Sequence, residues 1–406
     1  MQFQLLKPQA HHASHANIVK RGARAAVTCG LALTLGCGVV LTTGCTATTA
    51  TQGSGSAAAT AGSAQGSAAV KATARTVKDS DGNKVEIPAK VAKVAPTIGA
   101  FAQITELLTN GNGKMVAAPV QQISDDFKAV FTDYNETNPD GRSSSSVEDI
   151  IASGAQVVYG PKAAFTDEQI DQLEAAGVVF VNINKMATTD DLCNCIQTIG
   201  DILGEKESKR AAEYVKYYKD SIAFAEKKAK KIDEADRATE LTMSVEGGAY
   251  MVAPSSDISS SLVEAAGLTN LAADYTSDAT SGNGSMLQVS AEQIVAWNPQ
   301  YIVAYSQQAA DAIKNDAALA GVDAVANDHV LVCPKALYLW AVRSGEGCLM
   351  PEWLGSTVYP DAYKGFDMTK TLQKFYKDWY GSELSASDAE AILSGATNAT
   401  AQAPRR

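Results

Sequence analysis

Trp340 and Arg343 stand three residues apart in LYLWAVRSGEG, residues 337–347, an aromatic face beside a guanidinium. That pair suits a large planar or anionic group, through cation–π stacking and the forked hydrogen bonding of arginine. Each residue also has a plainer use: Trp340 as core packing, Arg343 as partner to Glu346. Two acids form a second pattern. SAEQIVAWNPQYIVA, residues 290–304, repeats SVEDIIASGAQVVYG, residues 146–160, at a distance of 144 positions. Ser146 and Ser290 occupy helix N-cap positions, and Glu148 and Glu292 fall in the first turn, where a carboxylate offsets the helix dipole. Capping explains both acids; alternatively, two related lobes each expose a matching acid on one side of the molecule.

Nucleophilic and acid–base catalysis find little support. Of the 4 histidines, His11, His12 and His15 lie in the N-terminal leader, leaving His329 just before an apolar run. Neither a G-x-S-x-G nor an H-E-x-x-H pattern occurs. Carboxylates abound without specific pairing, so a cell-surface hydrolase has no named residues behind it, and an adhesin is the other competing class. Beyond the leader and Cys45, the cysteines are Cys193, Cys195, Cys333 and Cys348. A bridge between Cys333 and Cys348 would contribute about 3 kcal/mol by loop closure; four buried thiols fit equally well. The C-x-C pair lacks the spacing of a structural zinc site, so no metal site and no cofactor is expected.

The leader holds Lys7, Lys20, Arg21 and Arg24 ahead of AAVTCGLALTLGCGVVLTTGC, the layout of an export signal. Its many glycines, threonines and cysteines suit a spanning anchor poorly. TTGC resembles a lipobox, which makes Cys45 the lipidation candidate. Thr42 stands where leucine is usual, and Cys37 is a rival. Residues 45–74 are small and polar, a flexible tether. Without the leader the chain has 30 basic and 45 acidic residues, a formal charge of −15, which argues against nucleic acid.

The elements that must position these residues are readable from residue 75 onward. Short apolar runs alternate with helical periods, the pattern of an α/β fold. In residues 75–204 they are KVAKVAP, AFAQITELL, KMVAA, SVEDIIASG, QVVYG, FTDEQIDQLEAAG and VVFVNI. Residues 205–236 read as one long connecting helix with a seam at Ala211, Val215, Tyr218, Ile222, Ala225, Ala229 and Ile232. It would run roughly 40 Å, far enough to cross between lobes. A second α/β set fills residues 237–381 and ends in a helix, and residues 382–406 read as a disordered tail. SDATSGNGS, residues 277–285, reads as a mobile loop and lacks the lysine of a phosphate loop.

In this order, DSDGNKVEIPAKVAKV, the paired helix–strand units, IGDILGEKESKRAAEYV, EAAGLTNLA and WLGSTVYPD resemble the substrate-binding lipoproteins of ABC importers. The class is the one in which a rigid helix joins two Rossmann-like lobes, the class III periplasmic-binding-protein type. The resemblance implies a monomer on the outer face of the cell membrane that serves a permease dimer and its ATPase subunits, with little lobe motion. It casts Glu148 and Glu292 as contacts to basic residues of the permease. It also implies a ligand between the lobes, at the carboxyl ends of the strands. The residues there are Thr97, Ile98, Pro119, Tyr159 and Lys162 from the first lobe, and Tyr250, Tyr305, Ser306, Trp340 and Arg343 from the second. A ferric siderophore or similar iron chelate comes first among ligands, then a corrinoid, then an oxyanion such as molybdate. Haem held by histidine and a bare divalent metal are disfavoured by the single remaining histidine, whereas haem ligated by tyrosine stays among the alternatives.

Overall fold

The computed structural model describes residues 74–281 and 285–395. The export signal, the tether, Cys45, residues 282–284 of the glycine-rich loop and residues 396–406 lie outside the described residues. Two strands, β1 (Arg75–Lys78) and β2 (Lys84–Ile87), pair antiparallel at the entry. The first lobe continues with β3 (Val94–Pro96), α1 (Gly99–Thr109), α2 (Asp125–Val130), α3 (Asp133–Thr137), α4 (Val147–Ser153), β4 (Val157–Gly160), α5 (Asp167–Ala175), β5 (Val179–Asn182) and α6 (Thr189–Leu203). Its sheet is parallel in the order β3-β4-β5. KMVAA, expected as a strand, makes only single bridges, Met115 to Val94 and Ala118 to Ser143, because the chain leaves one neighbour for another after a single rung.

Helix α7 (Glu205–Ala229) leads into the second lobe. There follow β6 (Thr239–Glu246), β7 (Ala249–Val252), α8 (Ile258–Ala265), β8 (Thr269–Asn270), β9 (Leu287–Val289), α9 (Ala291–Trp297), β10 (Tyr301–Ala304), α10 (Gln307–Asn315), α11 (Asp323–Ala326), β11 (Val330–Val332), α12 (Met350–Val358), α13 (Met368–Phe375) and α14 (Ala386–Leu393). The sheet runs β11-β10-β6-β7-β9, with β8 beside the start of β6. Strands β6, β10 and β11 are parallel, whereas β7 folds back antiparallel on β6.

The repeated phrase is a repeated structure. In α4, Ser146 Oγ accepts from Asp149 N at 3.1 Å; in α9, Ser290 Oγ accepts from Gln293 N at 3.2 Å. Both helices stop on a left-handed residue eight positions after the cap, Gly154 at φ 71° and Asn298 at φ 47°, then turn into a central strand. Glycine and asparagine tolerate that conformation best.

Helix α7 buries Ala211, Tyr214, Tyr218, Ser221, Ile222, Ala225 and Ala229. It packs on α1 and α6 of the first lobe and on α8 and α12 of the second. Ser221 Oγ lies within hydrogen-bonding distance of Cys348 O, 2.9 Å, and Glu352 Oε1, 2.8 Å, and the Tyr214 hydroxyl donates to Gly345 O. The chain end adds a second tie. Tyr376–Tyr380, a π-helical turn, sends Tyr380 back to the first lobe, where its ring meets Phe131 at 5.3 Å and its hydroxyl receives Gln103 Nε2 at 2.5 Å. Arg210 donates to Leu107 O at 2.9 Å and Trp379 O at 2.8 Å, joining α1, α7 and the chain end. One apolar core therefore runs from Val77 through α1 and α7 to Ile392, with a smaller core on the outer side of each lobe.

One open alternative is decided and one expectation needs correction. Cys333 and Cys348 are free, as are Cys193 and Cys195, and all four are buried. Cys348 lies against Tyr214 on α7, and Cys333 follows β11 with its Sγ toward Pro334 O, so each thiol has its own packing site. The tail is also not wholly disordered: α14 is capped by Ser385, buries Ala389 and Ile392, and accepts Trp353 Nε1 at Leu393 O, 3.1 Å away.

Candidate functional site

A parallel strand ends where its backbone can no longer pair, and the loops leaving those ends from two facing lobes frame a cleft. Here the cleft has a volume of about 520 Å³. The first lobe contributes Pro161 after β4, the segment 184–187 after β5, and Asp191. The second contributes Ser256, Asp257 and Ile258 at the start of α8, together with Ser285 and Arg343.

Arg343 is the distinctive group. It is half-buried, and among the described residues its guanidinium forms no ion pair and no side-chain hydrogen bond. The partner expected for it, Glu346, is fully occupied elsewhere: its carboxylate receives Leu337 N, Tyr338 N, Trp340 Nε1 and the Tyr380 hydroxyl. Burial raises Glu346 to about 7 despite those donors. The loop bearing Arg343 is thus pinned from below by a carboxyl while the cation above it stays uncommitted.

Around Arg343 the polar groups are mostly held by the protein itself. Asp257 caps α8, accepting Ser259 N at 2.9 Å and Ser259 Oγ at 2.8 Å. Tyr305 donates to Ala341 O at 3.5 Å, and its hydroxyl is kept protonated, by burial first and by Asp257 second, with Arg343 opposing. Lys185 pairs loosely with Asp81 at 3.8 Å. At the first-lobe mouth, α1 starts without a side-chain cap on Ile98; Gln122 Oε1 receives Gly99 N at 2.6 Å and the Tyr338 hydroxyl at 3.4 Å. Thr97 is buried there, and its Oγ1 has no hydrogen-bond partner. Gly160 permits this: a Cβ on it would lie 1.8 Å from that oxygen.

The expected cleft residues divide. Arg343 lines the cleft, Tyr305 adjoins it, and Thr97 and Ile98 close the end of β3. Pro119 is buried at the start of the turn that carries Gln122. Tyr159 does not reach the cleft: it is fully buried, hydrogen-bonded to Thr105 and packed 6.5 Å from Phe101. Trp340 is likewise fully buried, its indole N–H donating to Glu346 at 3.0 Å. Tyr250 points to Asp316 at 2.6 Å, Ser306 caps α10 through Ala309 N at 3.1 Å, and exposed Lys162 pairs with Asp167 at 2.9 Å. These five are used by the fold. Sequence reasoning missed Asn184, Lys185, Ser256 and Asp257, although INKM directly follows β5 and the strand-end rule would have found Asn184 and Lys185.

Glu148 and Glu292 are exposed at the first turns of α4 and α9. Neither pairs with a cation among the described residues; Glu148 receives Ser146 Oγ at 3.1 Å, and Glu292 is lowered by its own backbone N–H and by Ser290. Of the other concavities, one of about 480 Å³ lies along α7 between Lys219, Glu226 and Glu264, walled by helix faces with no strand end opening into it. His329 stacks on Tyr301 at 4.4 Å, at the amino-terminal end of β11, remote from the strand ends that frame the cleft. No cluster of three metal-ligating side chains and no helix fit to cross a membrane occurs among the described residues.

Comparison with known proteins agrees with this architecture. A family profile described as periplasmic binding protein matches residues 119–337, more than half of the chain. The molybdate-binding protein MolA of Haemophilus influenzae is 22% identical over 342 residues, covering 77% of this chain and 90% of its own. A periplasmic solute binding protein from Veillonella parvula superimposes with a TM-score of 0.63 at 22% identity, over 80% of this chain and 100% of its own. Ceue of Helicobacter pylori, solved with Ni(II) bound, gives 0.62 at 17% identity, over 79% and 99%. Two lobes on one connecting helix, an open interlobe cleft and the profile match agree: the chain belongs to the periplasmic binding protein family, the non-enzymatic solute-binding components of ABC transporters.

Proposed function

We propose that this protein captures an anionic metal complex, a ferric siderophore or similar iron chelate, between its lobes and hands it to a membrane permease. The observation that carries the reading is Arg343, a half-buried guanidinium with no protein partner at the wall of the interlobe cleft. A cation left unpaired in a partly desolvated site favours an incoming anion, because the ligand supplies the missing hydrogen bonds. The cleft, about 520 Å³, falls within the roughly 300–1,000 Å³ usual for organic ligands of drug size, which favours a chelate over a bare ion.

An oxyanion is the second reading, because the relative from Haemophilus influenzae is named for molybdate. It would need further donors converging on Arg343, and Ser256 supplies a hydroxyl in the same cleft. Glu148 and Glu292 dock each lobe onto basic residues of the permease, and Cys45, lipidated after signal cleavage, holds the protein to the outer membrane face through the 45–74 tether.

The test is calorimetric titration of residues 46–406 with a panel of ferric siderophores and with molybdate, repeated on Arg343→Ala. Loss of one charged hydrogen bond should weaken the bound anion by about 1.5–3 kcal/mol, roughly 10- to 100-fold. Tight molybdate binding with no chelate binding replaces the first reading by the second. An isotherm unchanged by Arg343→Ala removes that residue from the site.

A further inference from the structure

Two large apolar side chains stand exposed among the described residues, Ile151 at 38% and Val295 at 46%. Single exposed apolar residues are ordinary on a protein surface. These two are at the same place in the duplicated unit. Ile151 is the fifth residue after the Ser146 cap and Val295 the fifth after Ser290, each three residues beyond its lobe's glutamate. A spacing of three puts glutamate and aliphatic side chain on one helix face. The residue just before each, Ile150 and Ile294, is fully buried against its own lobe, so the exposed face is distinct from the core face.

We infer that Ile151 and Val295 are the apolar anchors of the two permease-docking patches, one beside Glu148 and the other beside Glu292. This rests on the docking role proposed above for the glutamates. Each patch is an unpaired carboxylate next to a β-branched aliphatic, so its counterpart is a basic residue set in an apolar rim. The two patches are equivalent in construction, so the partner must offer that surface twice, as a two-fold symmetric membrane dimer does. Desolvation by the aliphatic contact would strengthen the ion pair beside it, whereas an exposed ion pair alone is weak and screened by salt.

The experiment measures binding of the full mature chain to the cognate permease–ATPase complex in liposomes, at low salt and at 0.5 M KCl. The variants are Ile151→Ser with Val295→Ser, and separately Glu148→Lys with Glu292→Lys. The first pair should weaken docking roughly 10- to 100-fold at both salt concentrations, with melting temperature and binding of the same ferric siderophore unchanged. The second pair should act most strongly at low salt. Unchanged docking in the Ile151/Val295 variant, with docking lost in the glutamate variant, overturns the inference and leaves the proposed docking acids standing. Unchanged docking in both variants overturns the inference and the docking role of the glutamates together.

Discussion

At the scale of single residues, side chains picked for their chemistry separate by what else binds them. Trp340 and Arg343 share a loop, yet the tryptophan lies beneath it, hydrogen-bonded to Glu346, while the arginine faces the cleft uncommitted. Trp340→Phe keeps an aromatic ring but removes the only donor that the indole offers to Glu346. It should cost about 1–3 kcal/mol of unfolding free energy in urea, because a buried carboxyl loses one of its partners. Affinity for the ligand should change little; a large loss of affinity with intact stability would place the indole in the site after all. The thiols follow the same logic. Burial raises Cys193 to about 11 and Cys333 to about 12, so both stay protonated and pack as apolar side chains.

At the scale of elements, α7 and its hairpin with α6 decide how rigidly the lobes are held. The two helices approach closely at Gly200, where an added Cβ would meet Ala211 Cβ at 2.5 Å and Glu207 O at 2.9 Å. Gly200→Val should force α6 away from α7 and cost about 1–3 kcal/mol, read from denaturant unfolding. An unchanged midpoint would mean that the hairpin shifts freely at that crossing. Contact of α7 with both lobes, and the return of the π-helical turn at residues 376–380 onto the first, oppose hinge bending.

At the scale of the whole molecule, buried acids tie stability to pH. Burial is the first cause of every rise: Glu106 and Glu240 to about 8, Glu346 and Glu352 to about 7. Each holds its proton more tightly folded than unfolded, where the ordinary value is near 4.5. Their contribution is therefore complete below about pH 4.5 and lost as pH rises through 7 to 8. The unfolding free energy from urea titration should be higher at pH 5.5 than at pH 8.5, by roughly 2 kcal/mol for Glu352 alone. Glu352→Gln should flatten that part of the profile; an equally steep profile would assign the dependence to other groups.

The sequence by itself determined the local and periodic features. The caps at Ser146 and Ser290, the alternation of strand and helix, most of the α7 seam and the two exposed acids are written in spacings of two, three and four residues, which act locally. The helix expected over 205–236 ends at Ala229, short of Ile232, and Val215 is only half-buried. It also carried the order of motifs by which the family was recognised. Only tertiary structure decided which aromatic residue lies in the core and which polar group faces the cleft. Tyr159 meets Thr105 across 54 positions, Gln103 meets Tyr380 across 277, and Gly345 N meets Gln103 across 242. Side-chain type sets what a residue can bind, but burial and partner depend on distant segments that no local period encodes. The same reason explains α14, whose weak local signal is fixed by Trp353. Arg343 is left free because Glu346 is taken by four donors, three from its own loop (Leu337 N, Tyr338 N and Trp340 Nε1) and one from Tyr380, 34 positions on.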